Sequence, residues 1–211
     1  MASTVRAAAQ VRADLISGLA AAVSDKGYAA STIADIVAHA RVSKRTFYEH
    51  FADKEECLMA LYGDSCDRLM AVLRTAGSPD QPWRERVRVA VTAYLSTLES
   101  LPAVYRTLLV EMQAAGPRAY RLRQEKQRQF ADTLVAIVED GRPANPDIPS
   151  LSPATAVALV GGLNELLLQA VDPYTDSGAA TAPLATLNDT VVHLVTAILT
   201  YRPASSESTA S

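Results

Sequence analysis

The stretch Ser31–Glu56, STIADIVAHARVSKRTFYEHFADKEE, constrains the fold of this chain more than any other. Ser31 or Thr32 can cap a first helix, and Asp35, three residues after Thr32, closes a capping box. Ile33, Ile36 and Val37 then recur at helical spacing. Ala40-Arg41-Val42 makes a turn, and Ser43 can cap a second helix whose apolar residues, Phe47 and Phe51, stand one turn apart. Asp53 is a good N-cap for a third helix, with Glu56 at the capping-box position. Two helices joined by so short a turn form a helix-turn-helix, whose second helix can enter the major groove of DNA.

Composition decides what surrounds this motif. Of the 211 residues, 49% are apolar, which excludes a disordered protein, and only nine are glycine. Ala, Leu, Arg and Glu at helical spacing point to an all-α fold. A net charge of -3 argues against a nucleic-acid binder only if the charge is evenly spread. Residues 1–54 hold seven basic and five acidic groups; the remainder holds 13 basic and 18 acidic. That asymmetry fits a small DNA-facing head on a body with another task. Cys57 and Cys66 fall on opposite faces of one helix, roughly 13 Å apart along its axis, too far for a disulfide. Free thiols and no secretory leader suggest the cytosol; buried packing is the expected role of both, with redox sensing the alternative.

Taken in order, Met1 to Ala7 reads as a frayed arm, and Ala8 to Lys26 as a helix ended by Gly27, with Tyr28 packing back on it. A long helix follows from Asp53 to about Thr75. Further helices are expected over Trp83–Leu98, Val104–Ala115, Arg118–Glu139, Pro153–Val171 and Leu184–Tyr201, with a proline-bearing loop from Gly141 to Pro153. This divides the chain into a helix-turn-helix domain (1–52), a helical regulatory and dimerisation body (53–202) and a disordered tail (203–211). The last two helices are apolar nearly all round and must be covered on every side. A second copy of the chain, forming a four-helix interface, is one cover; burial within one monomer is the other. No uninterrupted apolar run reaches the length of a membrane span: Asn164, Glu165 and Gln169 break the best candidate.

Gly27-Tyr28 followed by the Ser31–Glu56 stretch strongly resembles the DNA-binding head of the tetracycline-repressor (TetR) family of bacterial regulators, over roughly Arg12 to Leu58. Two positions depart from the family pattern. Arg41 stands where the family usually has glycine, in a left-handed position where a side chain costs on the order of 1 kcal/mol. Val23 replaces a larger phenylalanine. The resemblance implies a homodimeric DNA-binding regulator, most simply a repressor, in the bacterial cytoplasm at the nucleoid. It also implies a small molecule bound in the body, which moves the connecting helix and releases a near-palindromic operator.

Stepping 100° per residue from Phe47 and Phe51 places Arg45 and Glu49 opposite the core, flanked by Thr46 and Tyr48. Arg45 is the candidate base reader, bidentate to guanine, and Glu49 either accepts from cytosine or orients Arg45. Thr32, Ser43, Lys44, Tyr48, His50 and Lys54 match positions that hold the phosphate backbone in the family. In the body, Trp83, Tyr94, Tyr105, Met112, Phe130 and Asn164 are candidates to line a pocket for an apolar or amphipathic ligand, ordinary core being the alternative. No cofactor is expected. No phosphate loop, nucleophile elbow, metal pair or Cys/His dyad suggests an enzyme. The contrasting reading is a dimeric helical adaptor whose head binds protein without ligand control.

Overall fold

A computed structural model describes residues 2–78, 80–171 and 183–201. Among the described residues the fold is all-α: α1 (Ala2–Lys26), α2 (Ile33–Ala40), α3 (Lys44–His50), α4 (Lys54–Thr75), α5 (Trp83–Glu99), α6 (Pro102–Ala114), α7 (Gly116–Gly141), α8 (Pro153–Val171) and α9 (Asn188–Thr200). The loop after α7 opens with a 3-10 turn, Arg142–Ala144, and α9 is preceded by another, Leu184–Leu187. The polar segment around Asp172-Pro173 and the tail 203–211 lie outside the described residues.

One expectation fails at the start of the chain. Ala2 to Ala7 is not a frayed arm; it is the first part of α1. The segment leads into the alanine run of residues 7–9, and alanine carries the highest helix propensity of any residue. At the other end of α1 the sequence reading holds: Gly27, at φ 78°, donates its N–H to the Val23 carbonyl at 2.9 Å and ends the helix.

The head closes where α1 crosses α2. Leu15, Leu19, Val23, Ile36, Phe47 and Phe51 are buried there, all at 2% exposure or less. The two helices meet at Gly18, where a Cβ would stand 2.5 Å from the Ile36 carbonyl oxygen. A backbone atom cannot swing aside, so this crossing requires glycine. Val23, smaller than the phenylalanine of the family pattern, is fully buried all the same.

The helix α4 ties the head to the rest. Cys57 and Leu58 are fully buried under the head, Leu69 and Met70 lie in the body, and the buried side chains from Leu15 to Val191 form one continuous apolar cluster. A smaller cluster, Ala131, Leu151, Ala156 and Val160, joins α7 to α8. The Lys126 ammonium reaches Asp67 at 2.6 Å, pinning α7 to α4. By length and composition α8 is apolar enough to cross a membrane, contrary to expectation. It packs along α7 and touches α6 instead. Its outward face, with Val157 at 50% exposure and Gly161 and Gly162 bare, has no cover within the described chain.

Candidate nucleic-acid interface and body cavity

Local hydrogen bonds build the turn between α2 and α3. Asp35 N–H donates to Thr32 Oγ1 at 3.3 Å, and Thr32 N–H donates to Asp35 Oδ2 at 2.8 Å, so the box is closed from both sides. Lys26 approaches the same carboxylate at 2.7 Å. That lysine, with Thr32, holds the Asp35 carboxyl well below the usual carboxylate range. At the far end of α2, Arg41 adopts the left-handed conformation at φ 56°, ψ 39°. Val42 N–H then donates to the Val37 carbonyl at 3.0 Å, and the chain is turned into α3. Ser43 caps α3 by accepting from Thr46 N–H at 3.0 Å.

Phe47, buried completely, and Phe51 fix the rotation of α3 about its axis; their rings lie 5.7 Å apart, and Arg12 stacks over Phe51 at 4.9 Å. The opposite face therefore points to solvent. The Arg45 side chain is 91% exposed, and its Nε lies 3.3 Å from Glu49 Oε1, one turn on. Of the two roles open to Glu49, this contact is the orienting one. Lys44 and Ser43 are exposed beside it, and the Tyr48 ring stands 58% exposed, edge-on to Phe47. Thr46 and His50 are half-buried at the flanks. The structure thus brings Ser43, Lys44, Arg45, Thr46, Tyr48 and His50 onto one short helix, with Thr32 exposed at the head of the other.

Lys54 is placed differently. Its ammonium donates to the carbonyls of Tyr28 at 3.0 Å and Ser31 at 2.9 Å, and lies 4.2 Å over the Tyr28 ring. It ties the start of α4 to the α1–α2 connection, which leaves little of it for a phosphate. Tyr28 packs back as expected; burial, with Glu55 next in weight, raises its phenol to about 12. Asp53 caps α4 through Glu56 N–H at 2.7 Å, but the return bond from Glu56 goes to Ala52 N–H, also 2.7 Å, rather than to Asp53.

The body holds a cavity of about 160 Å³ between α4, α5, α7, α8 and α9, walled by Trp83, Val87, Tyr94, Phe130, Leu134 and Leu163 among others. A second cavity of about 50 Å³ adjoins it along α4 and α6, lined by Tyr62, Ser65, Cys66, Tyr105, Leu108 and Gln127. Tyr94, Phe130 and Asn164 belong to both; the two rings stand edge to face, 6.4 Å apart, at the junction. Of the sequence candidates, Trp83, Tyr94, Phe130 and Asn164 thus meet at the larger cavity and Tyr105 at the smaller. Met112 lines neither: at 1% exposure it is core beneath the head. Burial pushes the phenols of Tyr62, Tyr94 and Tyr105 up, so they remain neutral donors. It also raises the thiols of Cys57 and Cys66 to about 12, far from reactive thiolates.

Sequence reasoning missed the charged residue of the larger cavity's wall, Arg86. A signal was present: Arg86, Ala90 and Tyr94 recur every fourth residue, so the arginine continues a stripe that faces inwards.

The family model "Bacterial regulatory proteins, tetR family" matches residues 15–61. An HTH-type transcriptional regulator of Bacillus subtilis (strain 168), YxbF, is 35% identical over 78 residues, 37% of this chain and 20% of that protein. The HTH-type transcriptional activator FasR of Mycolicibacterium smegmatis is 33% identical over 84 residues, 40% of this chain and 38% of that one. The matches therefore span well under half the length of either relative. The fold agrees along nearly its whole length with FadR of Bacillus subtilis, solved in complex with stearoyl-CoA. The TM-score is 0.61 at 16% identity, covering 90% of this chain and 98% of that one. The family model thus takes in the capped turn, the buried phenylalanine pair and the exposed face of α3, and it is this head, residues 15–61, that matches the tetR family of bacterial regulatory proteins.

Proposed function

We propose that this protein is a DNA-binding transcriptional regulator that represses by occupying a near-palindromic operator as a homodimer and leaves it when an apolar or amphipathic small molecule enters the body. The observation that carries the reading is the outward face of α3. Arg45 stands almost fully in solvent, held by Glu49, between Lys44 and Tyr48, on a helix whose rotation two buried rings fix. Arg45 reads a base; Thr32, Ser43, Lys44, Thr46, Tyr48 and His50 position the backbone. Lys54 acts through the fold, by locking the junction of head and α4. In this reading residues 1–52 are the reading head, 53–202 the control and dimerisation body, and the protein works at the bacterial nucleoid.

The uncovered face of α8 supports the dimer, since an apolar helix at the surface of a monomer calls for a partner. Two heads then address half-sites about one helical turn, ~34 Å, apart. The body cavities support ligand control, and a protein of the same fold was solved with stearoyl-CoA. The helix α4 lines both cavities and also underlies the head, so a ligand that binds one of its arrangements more tightly shifts the head.

Competition gel shifts with Arg45→Ala test the base-reading role. Selectivity for the preferred site should collapse while weak, salt-sensitive binding to any duplex remains. Unchanged selectivity would overturn the role given to Arg45. Because one relative is named an activator, transcription from an operator-bearing promoter decides the sign: repression is expected.

A further inference from the structure

The wall of the larger cavity is apolar but for Trp83, Arg86, Tyr94, Asn145 and Asn164. Asn145 donates to the Gly141 carbonyl at 3.0 Å. Arg142, which is not part of the wall, is paired with Glu139 at 2.7 Å, and Glu139 also accepts from Ser150. Arg86 differs. Its Nε is buried with no hydrogen-bond partner, and the ion pairs among the described residues do not include it. Its side chain lies against the α4–α5 turn at Gly77, and Nη1 reaches towards Gly141 at the end of α7. A guanidinium is charged at every relevant pH and presents its donors as a planar fork suited to a carboxylate or phosphate. Burying one of those donors unmatched is unfavourable, and an anion arriving from outside would supply the missing acceptor.

We propose that the cavity binds a molecule with an anionic head and an apolar chain of about six to ten carbons, and that Arg86 is the residue that holds the head. The inference rests on the reading of this cavity as an effector site and adds the chemistry of the effector. The geometry orders the ligand. From Arg86 the chain runs past Ala90 to Tyr94, one face of α5, and meets the Tyr94–Phe130 pair at the entrance to the second cavity. Size sets the length. A cavity of about 150 Å³ takes a molecule the size of benzene. The 160 Å³ here, with 50 Å³ beyond, therefore suits a medium-length chain. A longer chain has to part the Tyr94 and Phe130 rings and press on Tyr62, Ser65 and Cys66 of α4.

Octanoate, octyl phosphate and 1-octanol test the proposal, titrated by calorimetry and by the fluorescence of Trp83, the only tryptophan and part of the cavity wall. Octanoate or octyl phosphate should bind at least tenfold more tightly than octanol, and whichever is tighter identifies the head as carboxylate or phosphate. Arg86→Gln should weaken that anion ~10- to 100-fold with little change for octanol, and Arg86→Lys should restore much of the loss. If Arg86→Gln folds poorly, the three-ligand comparison on the unaltered protein still decides. Equal binding of octanol and octanoate overturns the anionic head while leaving the effector cavity in place. No binding of any of the three at millimolar concentration overturns both. Arg86-dependent binding that fails to release DNA upholds this inference and removes only ligand control from the proposed function.

Discussion

The head and the body solve opposite problems with the same kind of helix. The head is filled to contact: α1 meets α2 so closely that a single methyl group has no room at Gly18, and Phe47 is sealed completely. The body is built around space, with about 160 Å³ open beside Trp83, Tyr94 and Phe130. A surface that must match the spacing of phosphates benefits from a rigid support. A site that must admit a molecule and respond to it needs unfilled volume and groups without partners. In the proposed function, stability and responsiveness are divided between the two ends, with α4 belonging to both.

Substitutions can break or sharpen this contrast. The largest effect is expected at Phe47: Phe47→Ala should cost about 3–5 kcal/mol in urea unfolding, because a sealed head cannot collapse around the void. A loss under 1 kcal/mol would mean the head is as loosely packed as the body. Next comes a pair in opposite directions. Gly18→Ala should destabilise by about 1–3 kcal/mol, since the obstacle is the Ile36 carbonyl rather than a movable side chain. Ala90→Leu, which adds three carbons to the cavity wall, should be tolerated within about 1 kcal/mol and should block ligand binding. Equal costs for the two would erase the distinction between a full head and a hollow body.

Thr32→Ala removes the acceptor that caps α2 and should cost about 1 kcal/mol, measurable as a lowered melting temperature. The smallest effect is a pH dependence confined to the head. Lys26 and Thr32 favour the ionised form of Asp35, so its folded-state pKa lies below the ordinary value of 3.8. The stabilisation is complete above that pH and is lost as the carboxylate becomes protonated at lower pH. Melting temperature should therefore fall below about pH 4, and less steeply in Asp35→Asn. Identical slopes would show that the exposed pair contributes nothing.

The same contrast explains what could be read from the residues. The caps at Thr32, Ser43 and Asp53 are set by neighbours three positions away, so their positions follow from spacing, whereas the left-handed turn at Arg41 is expected only from the family resemblance. The buried and exposed faces of α3 follow equally from the interval between Phe47 and Phe51. Pro153 marks the start of α8 because proline suits a first turn. The misses share another cause. Gly18 matters only because α2 crosses it, Lys54 turns inwards only because the Tyr28 and Ser31 carbonyls converge there, and Met112 is core only because α6 lies beneath the head. Arg86 went unread on its helix, and its Nε is buried where the side chain lies against the α4–α5 turn and the end of α7. Such facts belong to the meeting of distant elements; for Arg86 alone does a local pattern, its place on the stripe with Ala90 and Tyr94, give a hint.

Selection of binding sites from a pool of random duplex DNA tests the central claim most directly, that α3 is a reading helix carried by a symmetric pair of heads. The account predicts enrichment of a near-palindrome, with the conserved base of each half-site lost when Arg45→Ala protein is used for the selection. Failure to enrich any sequence at low salt, where backbone contacts are strongest, would contradict it and favour a head that binds protein.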